Sequence, residues 1–308
     1  MRTRTPMTTT KAAPESPGSP PGPLDAAELR RRCAATIDSY GPGYFEGRPW
    51  LRQAFLDTPR EHFVPDRYWS TARREGRFPV LDRAERPHAW LKRIYRPLAP
   101  LITQIALGEI RPEDGPTDCG DFTSSISCPA AVVGMLHHLD PRPGDRILEI
   151  GTGSGYNAAL LAHRVGATAL VTVDIDAALA DGAASKLAQL GLTPTVVTGD
   201  GELGYEQAAP FDGILSTAAV REIPQAWLRQ VRPGGVIVTP VDTPFICDGL
   251  CRLVCDGEGG ATGRMVGGLD FMKVRGQRAR RPYSELGWPL WSDYHVTAGP
   301  GGQRIRTP

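Results

Sequence analysis

Three acidic residues and a run of glycines carry the chemistry of this chain. In Arg146-Ile-Leu-Glu-Ile-Gly-Thr-Gly-Ser-Gly-Tyr156, a buried apolar strand (Ile147, Leu148, Ile150) enters a glycine-rich turn and then a helix. Gly151, Gly153 and Gly155 let the backbone reach positive φ and approach a ligand that side chains would keep away. The first N–H groups of the following helix lack intrahelical partners and face the same spot. Glu149 lies near the end of that strand, Asp174 ends the next and Asp200 follows the third. Open α/β sheets bind ligands at this edge. A carboxylate at the second strand end accepts both hydroxyls of a ribose, and one after the third lies near an adenine amino group.

The nucleoside is chosen by what surrounds it. The glycines are spaced by two throughout, Gly151-x-Gly153-x-Gly155, and depart from the Gly-x-Gly-x-x-Gly dinucleotide fingerprint. The pocket also lacks the Arg and Lys expected around a pyrophosphate. A sulfonium cofactor, cationic and free of phosphate, suits an acidic ladder, so S-adenosylmethionine is favoured over NAD. The expected cofactor site comprises Glu149, Gly151, Thr152, Gly153, Gly155, Asp174, Ile175, Gly199, Asp200, Gly201 and Thr217. Asp176 points the other way, as a solvated or capping residue. No metal site is expected.

The elements that must hold these residues alternate. Strands are predicted over residues 146–150, 170–173, 195–198, 213–216 and 236–240, and helices over 129–138, 156–165, 177–190 and 223–231. Short apolar strands alternating with helices form parallel βαβ units with both sheet faces covered. The fold expected is a Rossmann-like α/β sheet. After it, 250–255, a Gly-rich turn and 265–274 read as a hairpin added to the sheet edge. Trp288, Trp291 and Tyr294 lie in a tail that forms an extra strand or ends a truncated module. Before the sheet, amphipathic spacing predicts a helix within 24–40, and 49–68 gives a short helix and an ordered turn.

The chain is expected to divide into a disordered tail (1–24), a helical and inserted region for substrate recognition (25–118), the catalytic core (119–245) and a hairpin with extension (246–308). Residues 1–24 are Thr-, Pro- and Ser-rich and cannot bury enough surface to order. Residues 66–96 hold nine cations (Arg67, Arg73, Arg74, Arg77, Arg83, Arg86, Lys92, Arg93, Arg96) against four acids, an excess of five. A solvated face is the simpler reading of that segment and an acidic-peptide groove the sharper one.

With 308 residues and a formal net charge of +1, the chain has ample length for a core and no general electrostatic pull on nucleic acid. No apolar run approaches the ~18 residues needed to span a bilayer. The N-terminus has no apolar signal core. A cytoplasmic protein is expected, with Cys33, Cys119, Cys128, Cys247, Cys251 and Cys255 as reduced thiols.

Several motifs together resemble the protein-L-isoaspartate O-methyltransferases: Ile147-Leu-Glu-Ile-Gly-Thr-Gly-Ser-Gly-Tyr156, Gly199-Asp-Gly201, Phe211-Asp-Gly-Ile-Leu-Ser-Thr-Ala-Ala219, Ile223-Pro224, and Arg232-Pro-Gly-Gly-Val-Ile-Val-Thr-Pro-Val241. Ala54-Phe-Leu-Asp-Thr-Pro-Arg-Glu-His-Phe-Val-Pro65 is similar to that family's opening segment. The resemblance implies a class I S-adenosylmethionine-dependent methyltransferase, a carboxyl O-methyltransferase of the EC 2.1.1 type. It places Ser125-Ile-Ser-Cys-Pro129 over the active site, with Ser127 facing the substrate and Ser125 beside it. The alternative for Ser127 is a helix cap ahead of Pro129. The long stretch 70–121 and the extended tail depart from the parent family. They resemble a branch that methylates ordinary aspartate in modified, often macrocyclic, ribosomal peptides (lanthipeptides or graspetides) on the way to an aspartimide. The leading expectation is therefore a biosynthetic peptide aspartate methyltransferase, with isoaspartate repair as the alternative. A nicotinamide oxidoreductase and a non-catalytic peptide-binding module stand as remote alternatives. The implied partner is a modified precursor peptide.

Overall fold

The computed structural model describes residues 24–40, 43–244, 248–278, 282–299 and 302–307. The N-terminal stretch expected to be disordered lies, but for Leu24, outside them, as does Cys247. Three helices open the chain: α1 (Ala26–Asp38), α2 (Pro49–Asp57) and α3 (Arg60–Phe63). Asp25 caps α1 by accepting from Ala27 N, and Pro49 starts α2 where a missing N–H costs nothing. Their apolar faces (Cys33, Ile37, Leu51, Phe55, Phe63) join the same buried cluster as Leu136, Leu160 and Leu187 further on.

The inserted region departs from the helical expectation. It builds an antiparallel sheet from β1 (Arg67–Ser70), β2 (Val80–Asp82), β3 (Leu101–Ile105) and β4 (Phe122–Ile126), in the order β2-β1-β3-β4, with one helix, α4 (Pro87–Ile94). The strands are three to five residues long and their pairing is non-local: Trp69 meets Ile102, and Ile102 meets Ser125. No short window of sequence carries that pattern. What drives it is burial of Tyr68, Trp69, Ile102 and Ile105, worth about 1.5–3 kcal/mol for each large apolar side chain.

The remainder follows the sequence pattern. After α5 (Pro129–Leu139) come β5 (Ile147–Ile150), α6 (Tyr156–Val165), β6 (Leu170–Asp174), α7 (Ala177–Gln189), β7 (Thr195–Thr198), β8 (Phe211–Ser216), α8 (Gln225–Gln230), β9 (Val231–Val241), β10 (Gly249–Cys255) and β11 (Ala261–Gly268). The seven strands order as β11-β10-β9-β8-β5-β6-β7, parallel from β7 to β9, with β10 and β11 as the antiparallel hairpin. Cys251 and Cys255 are buried on this hairpin.

Two strand expectations need correction. The second hairpin strand ends at Gly268, not at 274. Residues 269–278 leave the sheet and cross the carboxyl ends of the strands, where Ala219 N donates to Met272 O and Val274 N to Ala219 O. Two glycines, Gly267 and Gly268, and the ion pairs made further on by Lys273 and Arg275, favour departure from the edge over continued pairing. The tail neither extends the sheet nor adds a single strand. It forms a separate two-stranded hairpin, β12 (His295–Gly299) and β13 (Gly302–Arg306).

Candidate active site

The carboxyl ends of β5, β6 and β7 open onto a cleft enclosing about 1000 Å³ of space, mouth included. Gly151, Thr152, Gly153, Asp174, Ile175, Asp200, Gly201 and Thr217 line it, together with Ser125 and Ser127. The floor is a glycine turn in which Gly151 tolerates no side chain. Gly151 has φ of 89°, and a Cβ there would lie 2.5 Å from Thr217 Oγ1. Thr217 Oγ1 donates to Gly151 O at 2.6 Å, so this hydroxyl holds the turn in place.

Asp174 is nearly enclosed. Its Oδ2 accepts from Gly153 N at 2.8 Å and its Oδ1 from Asp176 N at 3.0 Å. Burial pushes its carboxyl pKa up, against the pull of those two N–H groups. The same bonds fix the carboxylate's orientation and leave lone pairs on both oxygens, a suitable acceptor pair for a vicinal diol. Ile175 is 40% exposed and offers an apolar face beside it. Asp200 caps the turn after β7, its Oδ1 accepting from Glu202 N at 3.0 Å. Asp176 caps α7 and also receives Gln104 and Arg275.

Three expected residues stand behind the cleft wall. Glu149 is fully buried, and its oxygens accept from Asn157 Nδ2 and Thr172 Oγ1, each at 2.6 Å. Thr152 Oγ1 lies 2.6 Å from Thr172 Oγ1 and extends the chain to the glycine turn. Burial raises the Glu149 pKa to about 7, although both side-chain donors oppose the rise. Glu149 is absent from the cleft lining and reaches it through Asn157 and, by way of Thr172, Thr152. Asn157 stands at the wall in its stead, with a buried Oδ1 that has no hydrogen bond among the described residues. Gly155 caps α6 against Ala183, and Gly199 N donates to Asp174 O. The cleft therefore takes a nucleoside with a cationic end: a cradle without side chains, two carboxylates, an apolar face and an orphan amide oxygen. These donors fit S-adenosylmethionine, but the expectation that the pocket lacks Arg and Lys needs correction: Lys273, Arg275 and Arg278 also line the cleft, brought there by residues 269–278 and paired with Asp242, Asp176 and Asp121.

Ser125 and Ser127 face two cavities at once. A second groove, about 2080 Å³ with its open mouth, meets the cleft at Ser125, Ser127, Met272, Lys273 and Arg278. Ser125 is held on β4 opposite Ile102. Ser127 does not cap α5; Cys128 occupies that position and makes no side-chain capping bond. Beneath Ser127 lies fully buried Arg60, whose Nη2 donates to Ser127 O at 2.7 Å and whose Nε donates to Ile94 O at 3.1 Å. The guanidinium stacks 4.8 Å from the Tyr156 ring centroid.

The groove's other wall was not anticipated. Lys273 Nζ lies 3.0 Å from Asp242 Oδ2, and Arg221 Nε lies 2.9 Å from the same oxygen. Burial works against the charge on Asp242, but Lys273, Arg221 and Tyr283 outweigh it and lower its pKa. Arg278 reaches Asp121 at 3.5 Å. For Lys273 and Arg278 the signal was present only as cations following a sheet-edge strand, and reading 265–274 as strand hid it.

The protein-L-isoaspartate(D-aspartate) O-methyltransferase family model matches residues 113–274. A protein-L-isoaspartate O-methyltransferase of Methanoculleus marisnigri is 45% identical over 166 residues, 54% of this chain and 73% of that protein. One from Archaeoglobus fulgidus is 35% identical over 202 residues, covering 64% and 85%. Among solved structures, a protein-L-isoaspartate O-methyltransferase aligns with TM-score 0.59 at 22% identity, covering 79% of this chain and 65% of that one. A Plasmodium falciparum beta-aspartate methyltransferase in complex with S-adenosyl-L-homocysteine aligns with TM-score 0.57 at 12% identity, covering 82% and 99%. These two share the fold. No helix among the described residues is long and apolar enough to cross a membrane. The chain belongs to the protein-L-isoaspartate(D-aspartate) O-methyltransferase family, and is a class I carboxyl O-methyltransferase whose methyl donor is S-adenosylmethionine.

Proposed function

We propose that the chain esterifies the free α-carboxylate of an isoaspartyl residue, whose main chain runs through the β-carbonyl, in a peptide held in the second groove. The observation that carries this reading is the position of Ser125 and Ser127 on the wall common to the nucleoside cleft and the groove. S-adenosylmethionine, when bound, supplies an electrophilic methyl group on a cationic sulfur and departs as a neutral thioether. Asp174 and Asp200 would hold its ribose and adenine, Ile175 the adenine face, and Asn157 its ammonium group.

The acceptor carboxylate has a pKa near ~4 and is already ionised at neutral pH, so no general base is needed. The Ser127 hydroxyl donates to one carboxylate oxygen and aims the other at the methyl carbon, with Ser125 in support. Enclosure between β4 and residues 269–278 removes water from the nucleophile. Holding both reactants in near-attack geometry supplies on the order of 7–11 kcal/mol. The methyl ester then loses methanol without enzymatic help, as the next backbone nitrogen closes a succinimide.

One observation favours a second, biosynthetic reading, in which an ordinary aspartate of a modified ribosomal peptide is the acceptor. The groove wall includes Thr71, Pro100, Ile102 and Tyr283, which all lie outside the stretch matched by the family. In that reading residues 25–118 serve substrate recognition. Incubation with S-adenosylmethionine and paired peptides, isoaspartyl and macrocyclic aspartyl, with mass readout, separates the two. Turnover of the isoaspartyl peptide alone supports the first, turnover of the macrocycle alone supports the second, and turnover of neither defeats both.

A further inference from the structure

The inserted sheet carries a second cleft, away from both cavities above. Ser70, Ala72, Pro79, Leu81 and Ala89 form its apolar lining, and its charged groups are Arg74, Arg86, Lys92, Arg93 and Arg96. No carboxylate lines it. Of the four acids in 66–96, Asp82 is engaged by Arg67 and Asp66 by Arg83, while Glu75 and Glu85 lie outside the cleft lining. Among the described residues, none of the five cations makes an ion pair.

Arg93 shows the imbalance most plainly. It is half-buried, its Nε is enclosed without a hydrogen-bond partner among the described residues, and its Nη2 donates to Thr71 Oγ1 at 2.9 Å. Burial, and then the neighbouring Arg96, push its guanidinium pKa down. A buried cation lacking a counter-charge is costly, and an arriving anion removes that cost. Thr71 in turn lines the acceptor groove. The Arg93–Thr71 bond therefore joins the cationic cleft to the place where the substrate lies.

We propose that this cleft is a docking subsite for an acidic segment of the peptide substrate, lying in the same chain as the methylated residue. The proposal rests on the peptide reading of the groove. A peptide passing Ser127 and Thr71 brings its flanking Asp or Glu side chains onto Arg74, Arg86, Lys92, Arg93 and Arg96. Nucleic acid fits less well: the lining offers no aromatic ring on which a base can stack, and the chain's net charge of +1 supplies no wider field. The subsite supplies affinity and steering, and takes no part in methyl transfer.

The test uses the full chain and a fluorescein-labelled hexaglutamate peptide, read by fluorescence anisotropy at low and high salt. Lys92 and Arg96 are exposed, so the Lys92→Glu/Arg96→Glu double variant is expected to fold and melt like the parent. The parent binds the peptide at low salt and loses it at high salt, and the double variant binds about tenfold more weakly or worse. Arg74→Glu, on the other side of the cleft, gives a smaller loss in the same direction. In methyl transfer, a glutamate run appended to an isoaspartyl peptide lowers KM in the parent and not in the double variant, at unchanged kcat. Equal hexaglutamate binding by parent and double variant overturns the proposal, as does its absence in the parent. Tighter binding of a length-matched oligothymidylate, lost in the same variant, overturns it in favour of nucleic acid. If the isoaspartyl peptide is not methylated at all, the proposed reaction fails while the anisotropy still decides the subsite.

Discussion

Arg60 Nη2 donates to the main-chain oxygen of Ser127 at 2.7 Å, from a side chain with no exposed surface. The two residues are far apart in sequence and meet because α3 packs beneath the turn between β4 and α5. The backbone of Ser127 is thus fixed from below by a planar, permanently charged group, and its hydroxyl is left for the acceptor of the proposed reaction. Arg60→Lys removes the fork that spans Ile94 O and Ser127 O. Expected are a loss of about 2–4 kcal/mol in stability and a fall in kcat with little change in the KM for S-adenosylmethionine. Thermal melting and steady-state kinetics check both; an unchanged kcat would show that Ser127 needs no support from Arg60.

Ser127→Ala deletes the proposed donor to the acceptor carboxylate and touches nothing else on the cofactor side. A drop in kcat of about tenfold to a hundredfold is expected, in line with loss of one well-placed hydrogen bond to a charged group. Binding of S-adenosylmethionine, followed by calorimetric titration, should stay within about twofold of the parent. Methyl transfer at the parental rate would remove Ser127 from the site.

Asp174→Asn keeps the shape of the side chain and removes its charge. One amide oxygen still accepts from Gly153 N or Asp176 N, while the NH2 group faces the other donor. The Kd for S-adenosylmethionine is expected to rise by about tenfold or more. Stability without cofactor should change far less, because neutralising a buried carboxylate offsets part of the lost bonding. Titration of parent and variant with S-adenosyl-L-homocysteine gives the comparison.

Glu149 gives stability a pH dependence of unusual sign for a carboxyl. Its folded-state pKa of about 7 lies above its ordinary value of 4.5. Between these values the native protein keeps a proton that the unfolded chain has released. Stability from this group therefore falls as pH rises from about 4.5 to about 7 and is level above that. Glu149→Gln has no proton to lose. Its unfolding free energy should gain on the parent's across that window, by an amount on the order of 3 kcal/mol at the upper end, with the melting temperature following. A difference that stays constant from pH 5 to pH 8 would contradict this account.

The parallel sheet was legible because its signals are local. Tyr156–Val165 and Thr195–Thr198 fall where apolar periodicity places them, and the glycine turn lies between a buried strand and a helix. Asp174 and Asp200 reached the cleft for the same reason, since strand ends are visible in sequence. Glu149 did not, because it lies short of its strand's end and its carboxylate is taken up by Asn157 and Thr172. The inserted sheet was illegible as a sheet: strands of three to five residues paired across gaps of up to about thirty positions leave no periodic trace. Lys273, Arg275 and Arg278 were missed because nothing in 265–274 announces that the chain leaves the edge after Gly268 and returns across the strand ends.

Ser125 belongs to two structures at once. It lies on β4, in the ladder with Ile102, and it borders the nucleoside cleft. On the proposed function, remodelling the inserted module would retune which peptides are admitted, while the carboxylates of the donor pocket stay on the strand ends of the other sheet. Lineages carrying different insertions at this point would diverge in client choice long before they diverged in chemistry.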